Sequence, residues 1–108
     1  MAAQLFEIYK LSEGDVRRHS IRFADVLDDD ELLTGTPTAT EATGDIVIGN
    51  RQVNTEPILV RGKPAKVGQA VQFTTAGQQV AVATYTITGS VQTTKGQTIG
   101  WQLVLLVQ

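Results

Sequence analysis

From Ala83 to Val91 the chain reads ATYTITGSV, with Ala83, Tyr85, Ile87 and Val91 on one parity and Thr84, Thr86, Thr88 and Ser90 on the other. A period of two with one apolar face marks a half-buried β-strand. After the break TTKGQT the same parity returns in Ile99, Trp101, Leu103, Leu105 and Val107. Gly96 can take the positive φ that a hairpin turn with a bulge requires. Residues 80–91 and 97–107 are therefore predicted to pair as an antiparallel hairpin, with Tyr85 and Trp101 toward the core.

Earlier strands are shorter: Ile21 with Phe23, then Ile46–Val53, Ile58–Val60 and Lys66–Thr74. Gly49-Asn50, Arg61-Gly62-Lys63-Pro64 and Ala76-Gly77 mark breaks between them. After residue 35 no long stretch has helical apolar spacing, and turn signals recur about every eight to twelve residues. The pattern predicts an all-β fold, an immunoglobulin-like antiparallel β-sandwich of about seven strands. The sandwich is expected over residues 15–108, preceded by an N-terminal arm or first strand over 1–14.

Two segments exceed what a solitary sandwich needs. In QLFEIYKL, the residues Leu5, Phe6, Ile8, Tyr9 and Leu11 cluster ahead of the polar break Ser12-Glu13-Gly14-Asp15. This is either an ordinary first strand or short helix on the core, or an arm that docks on a neighbouring subunit. In LVLLVQ, Val104 and Leu106 fall on the face opposite Leu103, Leu105 and Val107. A strand apolar on both faces is covered on both or is an aggregation hazard. The cover is expected to be the N-terminal segment or another copy, which makes these residues candidates for a partner interface.

Composition narrows the function classes. A chain of 108 residues suffices for one domain that folds without staples, and it contains no cysteine, so disulfides, thiolate metal sites and cysteine nucleophiles are excluded. The net charge of −2 argues against a nucleic-acid binder. Its distribution is uneven: residues 1–56 hold all eleven acidic groups and only five basic ones, whereas residues 57–108 hold Arg61, Lys63, Lys66 and Lys95 and no acid. Halves of opposite sign can lie against each other in one fold or align neighbouring copies. From Val67 onward the only charge is Lys95, among eight Thr and eight Gln, a neutral surface that suits a protein packed into an assembly. No segment reaches the ~20 apolar residues of a membrane span, and the first fifteen residues lack the apolar run of a signal peptide. The expectation is a soluble chain made in the cytoplasm, with no membrane partner.

Candidate chemistry is sparse. The lone histidine, His19, sits among arginines in VRRHSIRF, where a surface role is the simpler reading. There is no Gly-x-Ser-x-Gly elbow and no phosphate loop, and RGKPAKVG lacks the spacing of the latter. Six aromatics barely furnish a core, leaving no platform for sugars or bases. The acidic run in FADVLDDDELLTG fails as a helix-loop-helix calcium site, because counting from Asp28 puts Leu33 at the sixth position and Ala39 at the twelfth, where glycine and glutamate are needed. A paired-carboxylate hydrolase needs two acids facing across a groove, not four in a row. The run reads instead as one helical turn capped by Asp28, with Leu27, Leu32 and Leu33 reaching the core. If Asp28, Asp29 and Asp30 do more than this, docking is expected, against Arg61, Lys63 or Lys66 of the same or another copy. Neither catalysis nor a cofactor is expected.

The order of features carries a resemblance. A strand ending in Phe23, an acidic turn with Leu27 and Leu32, VGQAVQF over Val67–Phe73 and YTITGSVQTTKGQT over Tyr85–Thr98 together resemble small immunoglobulin-like proteins encoded among the virion structural genes of tailed bacteriophages. The resemblance spans roughly residues 20 to 100. It implies a non-enzymatic virion protein: a capsid cement or head-decoration protein that contacts the major capsid protein, or a tail or connector accessory, in either case a homo-oligomer such as a dimer or trimer. An adhesin-type β-sandwich that binds carbohydrate or calcium through the loops Thr34–Asp45 and Arg61–Gly68 is the alternative from a different class.

Overall fold

A computed structural model of the chain describes residues 4–11, 16–77 and 83–107, with the side chains of 16–76 and 84–107. The strands are β1 (Gln4–Leu11), β2 (Arg17–Arg22), β3 (Leu33–Glu41), β4 (Ile46–Val53), β5 (Ile58–Val60), β6 (Lys63–Ala65), β7 (Ala70–Gly77), β8 (Ala83–Thr93) and β9 (Thr98–Val107). One sheet has the order β1-β9-β8-β3, the other β2-β7-β4, and β5-β6 form a separate hairpin. Lettered A to G over the seven long strands, the sheets are A-G-F-C and B-E-D. This is the immunoglobulin arrangement with the first strand carried to the sheet of the last. The all-β sandwich expected from the sequence is the fold observed.

The apolar parity of β8 and β9 does what it predicted. The two strands pair antiparallel from Ala83↔Val107 to Gln92↔Thr98, and Tyr85, Ile87, Val91, Ile99, Trp101, Leu103, Leu105 and Val107 are all buried. Phe23, Phe73 and Ile21 come from the facing sheet to complete the core. Gly89 lies opposite Trp101, and a Cβ there would collide with the indole and with the Thr38 carbonyl oxygen, so the missing side chain is what lets the ring lie flat on the strand.

Several boundaries differ from the sequence reading for local reasons. Thr34–Glu41, expected as loop, is most of β3, with a register shift between Thr34 and Thr38 where Gly35 takes φ +78° and Pro37 turns inward. Gly49-Asn50 is not a break but a bulge within β4, with Asn50 at φ +53°. Arg61 and Gly62, at φ +52° and +80°, make a two-residue turn of the I′ kind, so Lys63–Ala65 continues as a strand. The strand expected from Lys66 begins at Ala70, because residues 66–69 are folded into a loop by a buried side chain described below.

The backbone of β1 runs parallel to β9, from Gln4↔Gly100 to Leu11↔Val107, and places Ile8 opposite Val104. It extends that sheet by one strand rather than crossing it as a layer. The side chains of Leu5, Phe6, Ile8, Tyr9 and Leu11, expected at an interface, lie outside the described residues. Val104 and Leu106 are half-buried on the outer face.

Candidate interaction surfaces

Three loops share one end of the sandwich, residues 23–32, residues 54–57 with 66–69, and residues 94–97, while the β5-β6 hairpin brings Val60 and Arg61 beside Arg18–Ile21 of β2. Backbone hydrogen bonds join the three loops, from Phe23 N–H to Gln69 O (2.8 Å), Leu33 N–H to Gly68 O (2.8 Å) and Thr94 N–H to Leu32 O (2.8 Å). The acidic run lies in the first loop, and it is a turn but not a helical one. The Glu31 N–H reaches the Asp28 carbonyl at 3.1 Å, while Asp30 stands at φ +63°, outside the right-handed helical region. Capping is also reversed: Glu31 Oε1 accepts the Asp28 N–H (2.9 Å) and Oε2 accepts the Thr93 hydroxyl (2.5 Å). The Thr93 hydroxyl and the Asp28 N–H, with Lys95 nearby, hold the Glu31 carboxyl below the usual carboxylate range against the opposing effect of desolvation.

Asp28, Asp29 and Asp30 are exposed, and the bonds of Asp28 and Asp29 run to the 94–97 loop. Gln97 Nε2 donates to Asp28 Oδ2 (3.3 Å) and Lys95 Nζ to the Asp29 carbonyl (2.8 Å). Leu32 does not reach the core. It is 41% exposed and rests on Gly68, where an added Cβ would stand 3.1 Å from its own.

The second loop is organised by Asn54, which sequence inspection passed over. It is 2% exposed. Its Oδ1 accepts from the N–H groups of Gly68 (3.0 Å), Gln69 (3.1 Å) and Ala70 (3.0 Å). Its Nδ2 donates to the carbonyls of Glu56 and Lys66, both at 2.8 Å. Arg22 ties this loop to the acidic one, with Nε on Pro64 O (2.7 Å) and Nη1 on Asp25 Oδ2 (2.9 Å). The oppositely charged halves of the sequence thus meet side by side at one end of the same molecule.

His19 is buried rather than exposed, because β2 turns it inward. Nε2 shares a hydrogen bond with Thr75 Oγ1 (2.7 Å), and the ring lies 5.3 Å from Phe73, which stacks on Trp101 at 5.2 Å. Desolvation, with Arg17 adding to it, lowers its pKa to about 4, so the ring is neutral at pH 7. Arg18, His19, Ser20, Ile21, Val60, Arg61 and Leu103 border a hollow of ≈ 160 Å³. It contains no acid-base pair set up for catalysis among the described residues. At the far end Glu41 folds its own turn: burial pushes its pKa up, but the N–H and hydroxyl of Thr43 and the N–H groups of Ile46 and Gly44 outweigh this and hold it low. Among the described residues no three His, Cys, Asp or Glu side chains gather closely enough to hold a metal ion.

The outer face of the β1-β9-β8-β3 sheet carries Thr84, Thr86, Thr88, Ser90 and Gln92 on β8, beside Leu106, Val104 and Gln102 on β9 and Thr38 and Thr40 on β3. Thr38 Oγ1 bonds Ser90 Oγ at 2.9 Å, a cross-strand rung of this hydroxyl-rich surface. No charged side chain interrupts the outward positions of β8 and β9 among the described residues. No protein-family model matches the chain, and no curated protein matches it.

Proposed function

We propose that this protein is a non-enzymatic structural component of a tailed-phage particle, a capsid cement or head-decoration protein that acts by protein–protein contact. The observation that carries the reading is the outer face of β8 and β9. It is an uncharged surface of hydroxyls and amides with two half-buried aliphatic side chains at one side, Val104 and Leu106. Such a face has no positive charge to neutralise phosphates and little to steer a charged substrate, but it can lose its water against a protein surface without stranding a charge. The order of FADVLDDDELL, VGQAVQF and YTITGSVQTTKGQT, which resembles virion immunoglobulin-like proteins, supports the same reading.

The test is co-sedimentation of the purified protein with empty capsids and, in a separate tube, with tails. Binding to capsids and not to tails is expected, with retention reduced at least about tenfold by Thr86→Lys or Val104→Arg. Pelleting with tails alone would make it a tail accessory. Pelleting with neither would remove the proposal.

A further inference from the structure

β2 is the end strand of the β2-β7-β4 sheet, and its register shows which of its backbone groups face away from β7. The Phe23 N–H donates to the carbonyl of Gln69, which extends the register one residue beyond Arg22↔Ala70. Bonded pairs recur at every second residue of an antiparallel ladder, so Ile21 turns its N–H and carbonyl toward β7 while Arg18 and Ser20 turn theirs to the open side. Among the described residues no backbone bond from a turn or loop reaches those groups.

The hollow of ≈ 160 Å³ lies against this open edge, because the successive residues Arg18–Ile21 border it and no described residue of β7 does. Across it stand Val60 and Arg61, at the turn of the β5-β6 hairpin, and Leu103 of β9. Ile21, Val60 and Leu103 make one part of its wall aliphatic. Arg18 and Ser20 make another part rich in donors, and Gln72, itself 8% exposed, holds both: its Oε1 accepts from Arg18 Nη2 (3.1 Å) and its Nε2 donates to Ser20 Oγ (3.3 Å). A hydroxyl that accepts from an amide still has its own hydrogen to give, and the guanidinium has further N–H groups beside the one given to Gln72. No acidic side chain borders the hollow among the described residues.

We infer that this hollow binds an aliphatic carboxylate. The carboxylate accepts from the Arg18 guanidinium and the Ser20 hydroxyl, both held in place by Gln72, and the hydrocarbon part lies against Ile21, Val60 and Leu103. A cation would meet Arg18 and Arg61, and an inorganic anion would leave the aliphatic wall wet. An amide N–H beside the carboxylate, as in the last residue of a peptide, would also find the outward carbonyl of Ser20 on the strand edge. The hollow is smaller than the sites that enclose drug-sized ligands, so it takes a short hydrocarbon group and binds it weakly. The inference does not depend on the particle-binding role proposed above, because it concerns the purified chain alone.

Amide NMR of the full chain titrated with butyrate at low salt is expected to show saturable shifts centred on Arg18–Ile21, Val60, Arg61 and Leu103, with a Kd of about 5 mM. Butyramide has nearly the same shape without the charge and should bind at least about tenfold more weakly. Arg18→Gln, at an exposed position, should weaken butyrate binding by a similar factor and melt as the wild type does. Glu7 stands opposite Leu103 on β1, and Glu7→Gln, which removes a negative charge, should bind butyrate at least as tightly as wild type. N-acetylvaline separates two sources of the carboxylate: binding tighter than butyrate points to the end of a peptide chain, binding no tighter points to a free acid, and either result supports the site. No saturable shift by about 50 mM of either acid, shifts centred elsewhere, butyramide binding as well as butyrate, or an Arg18→Gln variant that binds butyrate as before would each overturn the inference.

Discussion

The loops 23–32 and 54–69 sit side by side, each fastened by one polar side chain turned inward, and the fastenings are of opposite kinds. Asn54 is a neutral amide, and its loop doubles back so that three N–H groups and two carbonyls converge on it. Only a group with both donors and acceptors satisfies such a set. Glu31 is a carboxylate, and what converges on it are donors only, the Asp28 N–H and the Thr93 hydroxyl. A carboxylate accepts strongly from both but brings a charge, so its loop is tied to pH while the Asn54 loop is not.

Asn54→Asp should separate the two most sharply. It replaces two donors with an acceptor facing the Glu56 and Lys66 carbonyls and puts a charge where the residue is 2% exposed. The expected loss is about 4 kcal/mol, with Asn54→Ala at about 3 kcal/mol from backbone groups left without partners. Urea melts at neutral pH measure both, and a loss under about 1 kcal/mol would mean that the loop holds without the amide.

Acid should then expose a third buried group. His19 has its pKa lowered to about 4, so the unfolded chain takes up a proton near pH 6.5 that the native state refuses. Its contribution to stability is whole above the unfolded value and is lost as pH falls from there toward about 4, up to roughly 3 kcal/mol. In the part of that window above the carboxylate range, where Glu31 and Glu41 do not yet take up protons, melts should show a slope that His19→Gln abolishes and Asn54→Ala leaves parallel to wild type. A wild-type stability that is flat over the window would contradict the burial of this ring.

How much of this was legible depended on whether the signal was periodic. The β8-β9 hairpin and its buried parity could be read because every second residue repeats the same statement, and Gly96 at φ +77° supplied the turn chemistry. β3 was misread because Gly35 and Pro37 punctuate it, and in a strand these residues also make bulges. The four carboxylates attracted attention as a run, but their roles are set singly: Glu31 is 3% exposed while Asp28–Asp30 face water. Only contact with Thr93, distant in sequence, distinguishes it. Asn54 carried no periodic signal, since its partners are backbone groups whose positions appear only once the chain has folded. Leu32 reads as core beside Leu33, yet neighbours in an extended chain point opposite ways, and only one can be inside.

Gly68 is where the two loops press on each other, and its replacement tests whether they act as one unit. It stands at φ +83° with Leu32 against it, so Gly68→Ala should cost about 2 kcal/mol from backbone strain and crowding together. In the double variant with Leu32→Ala, which removes the Cδ atoms at 3.3 and 3.5 Å but keeps the Cβ at 3.1 Å, a part of that loss should return. Strict additivity in a double-mutant cycle would show that the loops are merely adjacent.

Glu31→Gln should have the smallest effect of the four, and its pH dependence is the informative part. The Thr93 hydroxyl and the Asp28 N–H lower the Glu31 pKa, so its contribution is present above the ordinary carboxylate value of 4.5 and is lost as pH falls through the folded value. Gln keeps the shape and one acceptor but has no charge to lose. The variant should therefore be less stable than wild type at neutral pH, by less than Gly68→Ala, with the gap closing as acid protonates Glu31 in the wild type. Both proteins keep a residual acid slope from Glu41, which is also held low and is unchanged by the substitution. A gap that stays constant from neutral pH down through the carboxylate range would mean that the loop needs the shape of Glu31 and not its charge, and the contrast with Asn54 would then reduce to geometry.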